Sequence, residues 1–235
     1  MKTIISPDAP TTAQAFADYF AEKVSQKETY HIALSGGSTP KILFELLADE
    51  YEEEIDWDKV HFWWGDERCV PPTDSESNFK MTKERLFDPL GISEANIHRV
   101  LGEESPLEEA LRYSGLIEKA IPSQNGIPQF DMIMLGLGTD GHTASIFPHE
   151  MELLSDNATC GVATHPESGQ KRVTLNGPVI NNAVDICYLV TGEGKKEKVE
   201  EILKQKEGYL KYPAAHFNGE ATTWFLDQSA AVSIN

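Results

Sequence analysis

Apolar residues fall into two rhythms along this chain. Between Thr11 and Lys27, the residues Ala13, Phe16, Ala17, Phe20 and Val24 recur at the i, i+3, i+4, i+7 spacing of an amphipathic helix. Elsewhere they run together. Tyr30 to Ser35, Val60 to Trp64, Phe130 to Leu135 and Asp185 to Thr191 are short, nearly continuous apolar segments, the form taken by strands buried on both faces of a parallel sheet. Helical spacing returns between them. After the first strand Thr39 reads as an N-cap and Pro40 as the first helical residue, followed by the core stripe Ile42, Leu43, Leu46 and Leu47. Further helices are expected over Asn78 to Phe87, Pro106 to Ala120 and from Lys195 through Leu203, with a short one at Pro178 to Ala183. Shorter strands are expected at Ile97 to Leu101, Gly161 to His165, Arg172 to Leu175 and Thr222 to Leu226. This alternation, free of repeats and low-complexity linkers, predicts the α/β class: a doubly wound, Rossmann-like, mostly parallel sheet flanked by helices, with residues 1–235 as one domain.

Four of these strands end in loops rich in Gly and polar residues: Ser35 to Thr39, Gly65 to Arg68, Gly136 to His142 and Gly192 to Lys195. In a parallel sheet all four converge on one edge, where ligands of such folds bind. The segment Gly136 to Ser145 reads in two ways. It is either a catalytic loop, with Asp140 and His142 two residues apart among glycines such as Gly141, or a tight turn whose His caps the next helix. Glycine allows close approach to a ligand, and a carboxylate beside an imidazole fixes its tautomer and raises its basicity. His142 alone among the histidines has that setting, which makes it the choice for a general base. His165 is the rival, whereas His31, His61 and His98 lie within or beside strand patterns and read as packed or surface residues.

The first loop offers Gly36, Gly37 and the hydroxyls of Ser38 and Thr39 at a helix N-terminus, a cradle for an anion. It has neither the spacing of a Walker A loop nor that of a dinucleotide fingerprint, so a phosphate on a small metabolite fits it better than a nucleotide. Arg68 reads as a bidentate clamp for that phosphate or as a partner of Asp66 or Glu67, and Lys195 as a point charge or a solvated lysine. A lysine in the first turn of a helix is unfavourable unless an anion joins it, which favours the first reading.

Charge narrows the partners. With 38 Asp and Glu against 20 Lys and Arg, the net charge of −18 disfavours nucleic acid or an anionic membrane and requires any anion site to gather its cations locally. No window approaches the ~20 apolar residues of a membrane span, and Met1 to Pro7 lacks the pattern of a signal peptide. Cys69, Cys160 and Cys187 have no paired spacing and fit a reducing cytoplasm. Cys69, beside Arg68, reads as a small buried hydrophobe rather than a nucleophile. No His or Cys cluster has metal-ligand spacing and no Gly-x-Ser-x-Gly elbow is present, so neither a metal nor a serine hydrolase is expected. Monomer and homodimer both remain open.

The residues also resemble a known family. Leu34-Ser35-Gly36-Gly37-Ser38-Thr39-Pro40, Trp64-Gly65-Asp66-Glu67-Arg68, Val70-Pro71-Pro72 through Asp74 with Ser77, Asn78 and Phe79, and Leu135 to Pro148 are similar to the 6-phosphogluconolactonases, a branch of the group they share with glucosamine-6-phosphate deaminases. Arg172 to Leu175, Val179 to Asn181, Leu189 to Gly192 with Lys195, Tyr212 to Ala214 and Thr223 to Asp227 continue the likeness over nearly the whole chain. Arg68 stands where deaminases usually carry an aromatic residue, and Thr143-Ala144-Ser145 where they read Ile-Ala-Phe-Asn-Glu. Thr139 departs from the Pro or Glu common in the family. The resemblance implies hydrolysis of 6-phospho-D-glucono-1,5-lactone in the oxidative pentose phosphate pathway, without a cofactor. His142 would activate water, Asp140 would orient or polarise the His142 imidazolium, Ser38, Thr39, Arg68 and Lys195 would hold the phosphate with help from Arg172, and Gly36, Gly37, Asp66 and Gly141 would line the site. Two alternatives stand beside it: a deaminase using Asp66 as base, and a sugar-phosphate sensor without chemistry.

Overall fold

The computed structural model describes residues 1–231 and 234. Strand β1 (Lys2–Ser6) leads into helix α1 (Ala9–Ser25), which starts where the Asp8 carboxylate accepts a hydrogen bond from the Thr11 N–H at 2.9 Å. Ala13, Phe16, Ala17, Phe20 and Val24 of α1 are buried, so the apolar stripe faces the core. Then follow β2 (Tyr30–Leu34), α2 (Ser38–Glu50), β3 (Val60–Trp64) and β4 (Asp66–Arg68). Helix α3 (Asn78–Thr82) passes through a π-helical segment, Lys83–Phe87, into α4 (Asp88–Leu90), and α5 (Pro106–Ala120) precedes a two-stranded hairpin of β5 (Ser123–Gln124) and β6 (Ile127–Pro128). Strand β7 (Met132–Leu135), the pair β8 (Cys160–Thr164) and β9 (Lys171–Leu175), α6 (Gly177–Asn181), β10 (Asp185–Val190), α7 (Lys196–Leu203), β11 (Thr222–Asp227) and α8 (Gln228–Ala231) complete the order. No helix among the described residues is long and apolar enough to cross a membrane.

Six strands form one all-parallel sheet in the order β1-β11-β10-β7-β2-β3. This is the expected α/β architecture of a parallel sheet flanked by helices. The chain winds outward from β2 to β3, returns across β2 to β7, and then winds the other way through β10 and β11, so the topological switch lies between β2 and β7. Loops leaving a switch point diverge to opposite faces and open a crevice. Trp63, Phe130, Phe225 and Trp224 are wholly buried against this sheet, and each aromatic of this size contributes roughly 1.5–3 kcal/mol by leaving water.

A second, antiparallel sheet has the order β4-β9-β8. Gly65 joins the two sheets: its N–H donates to the Leu34 carbonyl at 2.9 Å, and its carbonyl accepts from the Leu175 N–H at 2.8 Å. The small sheet is thereby fixed beside the end of β2.

Several local expectations are corrected. Gly65 to Arg68 is not wholly a loop, because Asp66–Arg68 pairs with Arg172–Thr174 as β4. The strand expected at Ile97 to Leu101 reduces to a single bridge between Phe62 and Ile97. Thr39 is not the N-cap of α2, since the helix begins at Ser38 with Gly37 as cap at φ 117°, and the Thr39 hydroxyl instead meets that of Thr191 at 2.8 Å. Strand β1 carries no sequence signal, because as an edge strand four of its five residues are exposed.

Candidate active site

The crevice at the switch point is a cleft of about 270 Å³ lined on one side by Ser35, Gly36 and Gly37 after β2 and on the other by Gly136 to Thr139 and His142 to Ala144 after β7. Asp66, Arg68, Arg172, Lys195 and Asn78 complete its walls. Most of the residues singled out from the sequence thus meet in one place. Ser38 and Thr39 line an adjoining recess of about 120 Å³ that shares Gly36, Gly37 and Lys195 with the cleft.

The loop after β7 is built around His142. Its Nδ1 lies 2.6 Å from Asp140 Oδ1, and its backbone N–H donates to the same oxygen at 3.1 Å. Burial pushes the Asp140 carboxyl upward, but the hydrogen bonds and charge of His142 outweigh it and hold the carboxyl at about 2. An ionised carboxylate only accepts, so Nδ1 carries the proton of the neutral ring and Nε2 keeps its lone pair. Gly138 closes the loop by donating its N–H to the His142 carbonyl at 2.8 Å. A Cβ on Gly138 would sit 2.2 Å from His142 Nδ1 and 2.5 Å from Asp140 Oδ1, so a side chain there would have to displace the pair. The Phe147 ring backs the imidazole, with centroids 4.7 Å apart. Ala144 adopts φ 48°, a left-handed conformation that is uncommon for a residue other than glycine.

Gly141 has a different place from the expected one. It does not line the cleft, since at φ 87° its α-carbon faces the Tyr212 ring, which lies where a Cβ would be, and its carbonyl accepts from the Ala214 N–H at 3.1 Å. Gly136, Gly138 and Gly141 also have Gly-x-Gly-x-x-Gly spacing. The chain turns back on itself there rather than opening a helix, so the cradle of a dinucleotide is not formed. The turn brings Thr143 and Ile146 into a bridge, and His142 caps no helix.

The opposite wall is cationic. Arg68 and Arg172 are directly opposed in the β4–β9 register, an arrangement of like charges that destabilises a sheet unless something lies between them. The Nε atoms of both arginines are buried without a hydrogen-bond partner. Arg68 Nη1 donates to the Glu76 carbonyl at 2.6 Å, not to either neighbouring carboxylate. Arg172 Nη1 donates to Ser145 Oγ at 3.4 Å and stands 4.0 Å from Asp66 Oδ2, which accepts from Ser145 Oγ at 2.6 Å. Burial lowers the basicity of the Arg172 guanidinium and of the Lys195 ammonium, each offset in part by a nearby carboxylate, Asp66 for the first and Asp140 for the second. An anion between them would relieve both penalties.

A family model described as glucosamine-6-phosphate isomerases/6-phosphogluconolactonase matches residues 7–225. The chain belongs to that family. A 6-phosphogluconolactonase of Haemophilus influenzae is 43% identical over 233 residues, 98% of each chain. One of Treponema pallidum is 46% identical over 202 residues, covering 86% of this chain and 84% of its own. The solved structure of 6-phosphogluconolactonase from Trypanosoma brucei is similar with a TM-score of 0.88 and 27% identity, over 100% of this chain and 98% of that one.

In this member of the family the remaining sequence candidates fall outside the cleft. His165 bonds through Nδ1 with Ser168 and packs edge-on against Phe147. His31, His61 and His98 form a half-buried stack beside Trp63. Burial first, then Glu67 and Glu109, push the Cys69 thiol up to about 11, the opposite of an activated nucleophile. Among the described residues no three His, Cys, Asp or Glu side chains converge as a metal requires. Sequence reasoning gave no role to Asn78, which lies against Gly36, or to Ser145, which bonds Asp66. Polar residues at such positions acquire a partner only through the fold, and no local spacing announces them.

Proposed function

We propose that this protein hydrolyses 6-phospho-D-glucono-1,5-lactone to 6-phospho-D-gluconate, with residues 1–235 acting as one cytoplasmic lactonase unit of the oxidative pentose phosphate pathway. The single observation that carries the reading is the pairing across one cleft of an Asp140-oriented His142 with the cation wall Arg68, Arg172 and Lys195. Two kinds of support meet here: relatives of matching length bear that activity in their names, and a carboxylate-paired imidazole shares the cleft with three cationic side chains.

In this reading the 6-phosphate enters between the guanidiniums of Arg68 and Arg172, with Lys195 and the Ser38–Thr39 turn closing around it. His142 Nε2 takes a proton from a water as its oxygen attacks C1 of the lactone. Asp140 stabilises the imidazolium that forms. The tetrahedral intermediate collapses by breaking the bond from C1 to the ring oxygen, and the imidazolium returns its proton to that oxygen, which leaves as a hydroxyl. Positioning through the phosphate and one general base suffices for an ester already activated by its ring, since a base contributes about 10²–10⁴-fold.

The test is acid release from freshly generated 6-phosphogluconolactone above its spontaneous rate. Ammonia release from glucosamine 6-phosphate in its place would support the deaminase alternative, and binding of phosphosugars without either reaction would support the sensor.

A further inference from the structure

We propose that Glu67 is a positioning residue that fixes, from behind the cleft, the strand and loop presenting Arg68 and Asn78 to the phosphate. Alternation along β4 turns Asp66 and Arg68 toward the cleft and Glu67 to the opposite face. Glu67 is 2% exposed and no lysine or arginine pairs with it among the described residues. A buried carboxylate in that state is costly unless donors surround it. Four do: the backbone N–H groups of Arg68 at 2.7 Å, Asn78 at 2.8 Å and Phe79 at 2.8 Å, and the Ser77 hydroxyl at 3.1 Å.

These donors sit at both ends of one loop. The chain leaves β4 at Arg68, crosses the proline-rich segment, and returns at Ser77 to begin α3. Glu67 shares the capping of α3 with Ser77, whose Oγ accepts from the Lys80 N–H at 3.1 Å while the carboxylate takes the N–H groups of Asn78 and Phe79. What the carboxylate adds is a tie between the backbone of Arg68 and that of Asn78. Both ends then act on the cleft. Arg68 Nη1 reaches the Glu76 carbonyl of the same loop, while Asn78 Nδ2 donates to the Asp66 carbonyl at 3.0 Å and its Oδ1 lies 1.9 Å from where a Gly36 Cβ would stand. One carboxylate therefore sets the spacing between the β4 arginine and the glycine turn after β2.

The proposal rests on the phosphate reading given above, and the experiment separates the two. Calorimetric titration with 6-phosphogluconate and with gluconate is run beside kinetics on phosphorylated and unphosphorylated gluconolactone. In Glu67→Gln the amide NH₂ faces a donor and one tie is lost. The dissociation constant for 6-phosphogluconate is expected to weaken about tenfold, kcat to change less than about threefold, and the unphosphorylated lactone to be affected less than about threefold. Because Glu67 acts through Arg68 and Asn78 together, adding Glu67→Gln to Arg68→Ala should weaken binding by less than the product of the two single effects. Unchanged affinity, equal loss on both lactones, or additive effects would overturn the proposal. If Glu67→Gln does not fold, Ser77→Ala keeps the carboxylate and its three backbone donors and should weaken 6-phosphogluconate about twofold to threefold. An unaltered constant there would equally overturn it. A wild type that binds 6-phosphogluconate but opens no lactone refutes the catalytic reading and leaves Glu67 to be judged on binding. One that does not bind it overturns both.

Discussion

The parallel and antiparallel sheets meet at the cleft and contribute different chemistry to it. From the parallel sheet come turns of backbone, with glycine wherever a side chain would collide, and an imidazole, His142, whose hydrogen-bond partners Gly138 and Asp140 lie within four residues of it. From the antiparallel sheet come charges carried on strands, Arg68 facing Arg172 with Asp66 beside them, each held by contacts from distant segments. The local side is self-consistent without a ligand. The other side holds two opposed arginines whose Nε atoms have no partner, a cost that the proposed phosphate would offset.

Damage to the local side should therefore appear in kcat and damage to the charged side in affinity. Short of removing His142 itself, the largest effect is expected from Gly138→Ala. Its Cβ displaces both members of the His142–Asp140 pair, so kcat should fall about 10²–10³-fold while 6-phosphogluconate still binds, as single-turnover kinetics and calorimetry would report. Asp140→Asn keeps the volume but removes the ionised acceptor, and a kcat loss of about 10–100-fold with little change in KM is expected in steady-state assays. The carboxyl lies below its unfolded value of 3.8, at about 2 when folded. Its contribution to stability is thus present above pH 3.8 and lost as pH falls through 2, so acid unfolding of wild type and Asp140→Asn should differ above that window and converge below it.

On the charged side, Lys195→Ala should raise KM for the phosphorylated lactone about tenfold and leave the unphosphorylated one within about twofold. Equal losses on both would erase the division between the two sheets. The smallest effect is thermal. At about ten times its dissociation constant, 6-phosphogluconate should add about 1.4 kcal/mol and raise Tm by a few degrees, more than gluconate does, and Arg172→Ala should abolish the difference.

The same division explains what was legible in the sequence. Strands β2, β3, β7 and β10 are buried on both faces, so they read as apolar runs, and the glycines after them mark the turns at their carboxyl ends. His142 and Asp140 are two residues apart, and their pairing is visible as spacing. Strand β4 is three charged residues long and pairs with a segment more than a hundred residues away, so Asp66 to Arg68 looks like a loop until Arg172 to Thr174 is laid beside it. The Thr39 N-cap failed for a related reason. A threonine before a proline is a sound local signal, yet Gly37 at φ 117° starts the helix two residues earlier and leaves Thr39 to Thr191 of a different loop. Gly141 was legible as a glycine but not by purpose, since only the fold shows Tyr212 against it.

The most direct test of the account is the initial rate of acid release from freshly generated 6-phosphogluconolactone by the wild type and by His142→Ala, with spontaneous hydrolysis subtracted. The account predicts a wild-type rate well above background, a fall of about 10²–10⁴-fold in the variant, and undiminished binding of 6-phosphogluconate by the variant. A folded His142→Ala protein that turns over the lactone at near the wild-type rate would contradict it.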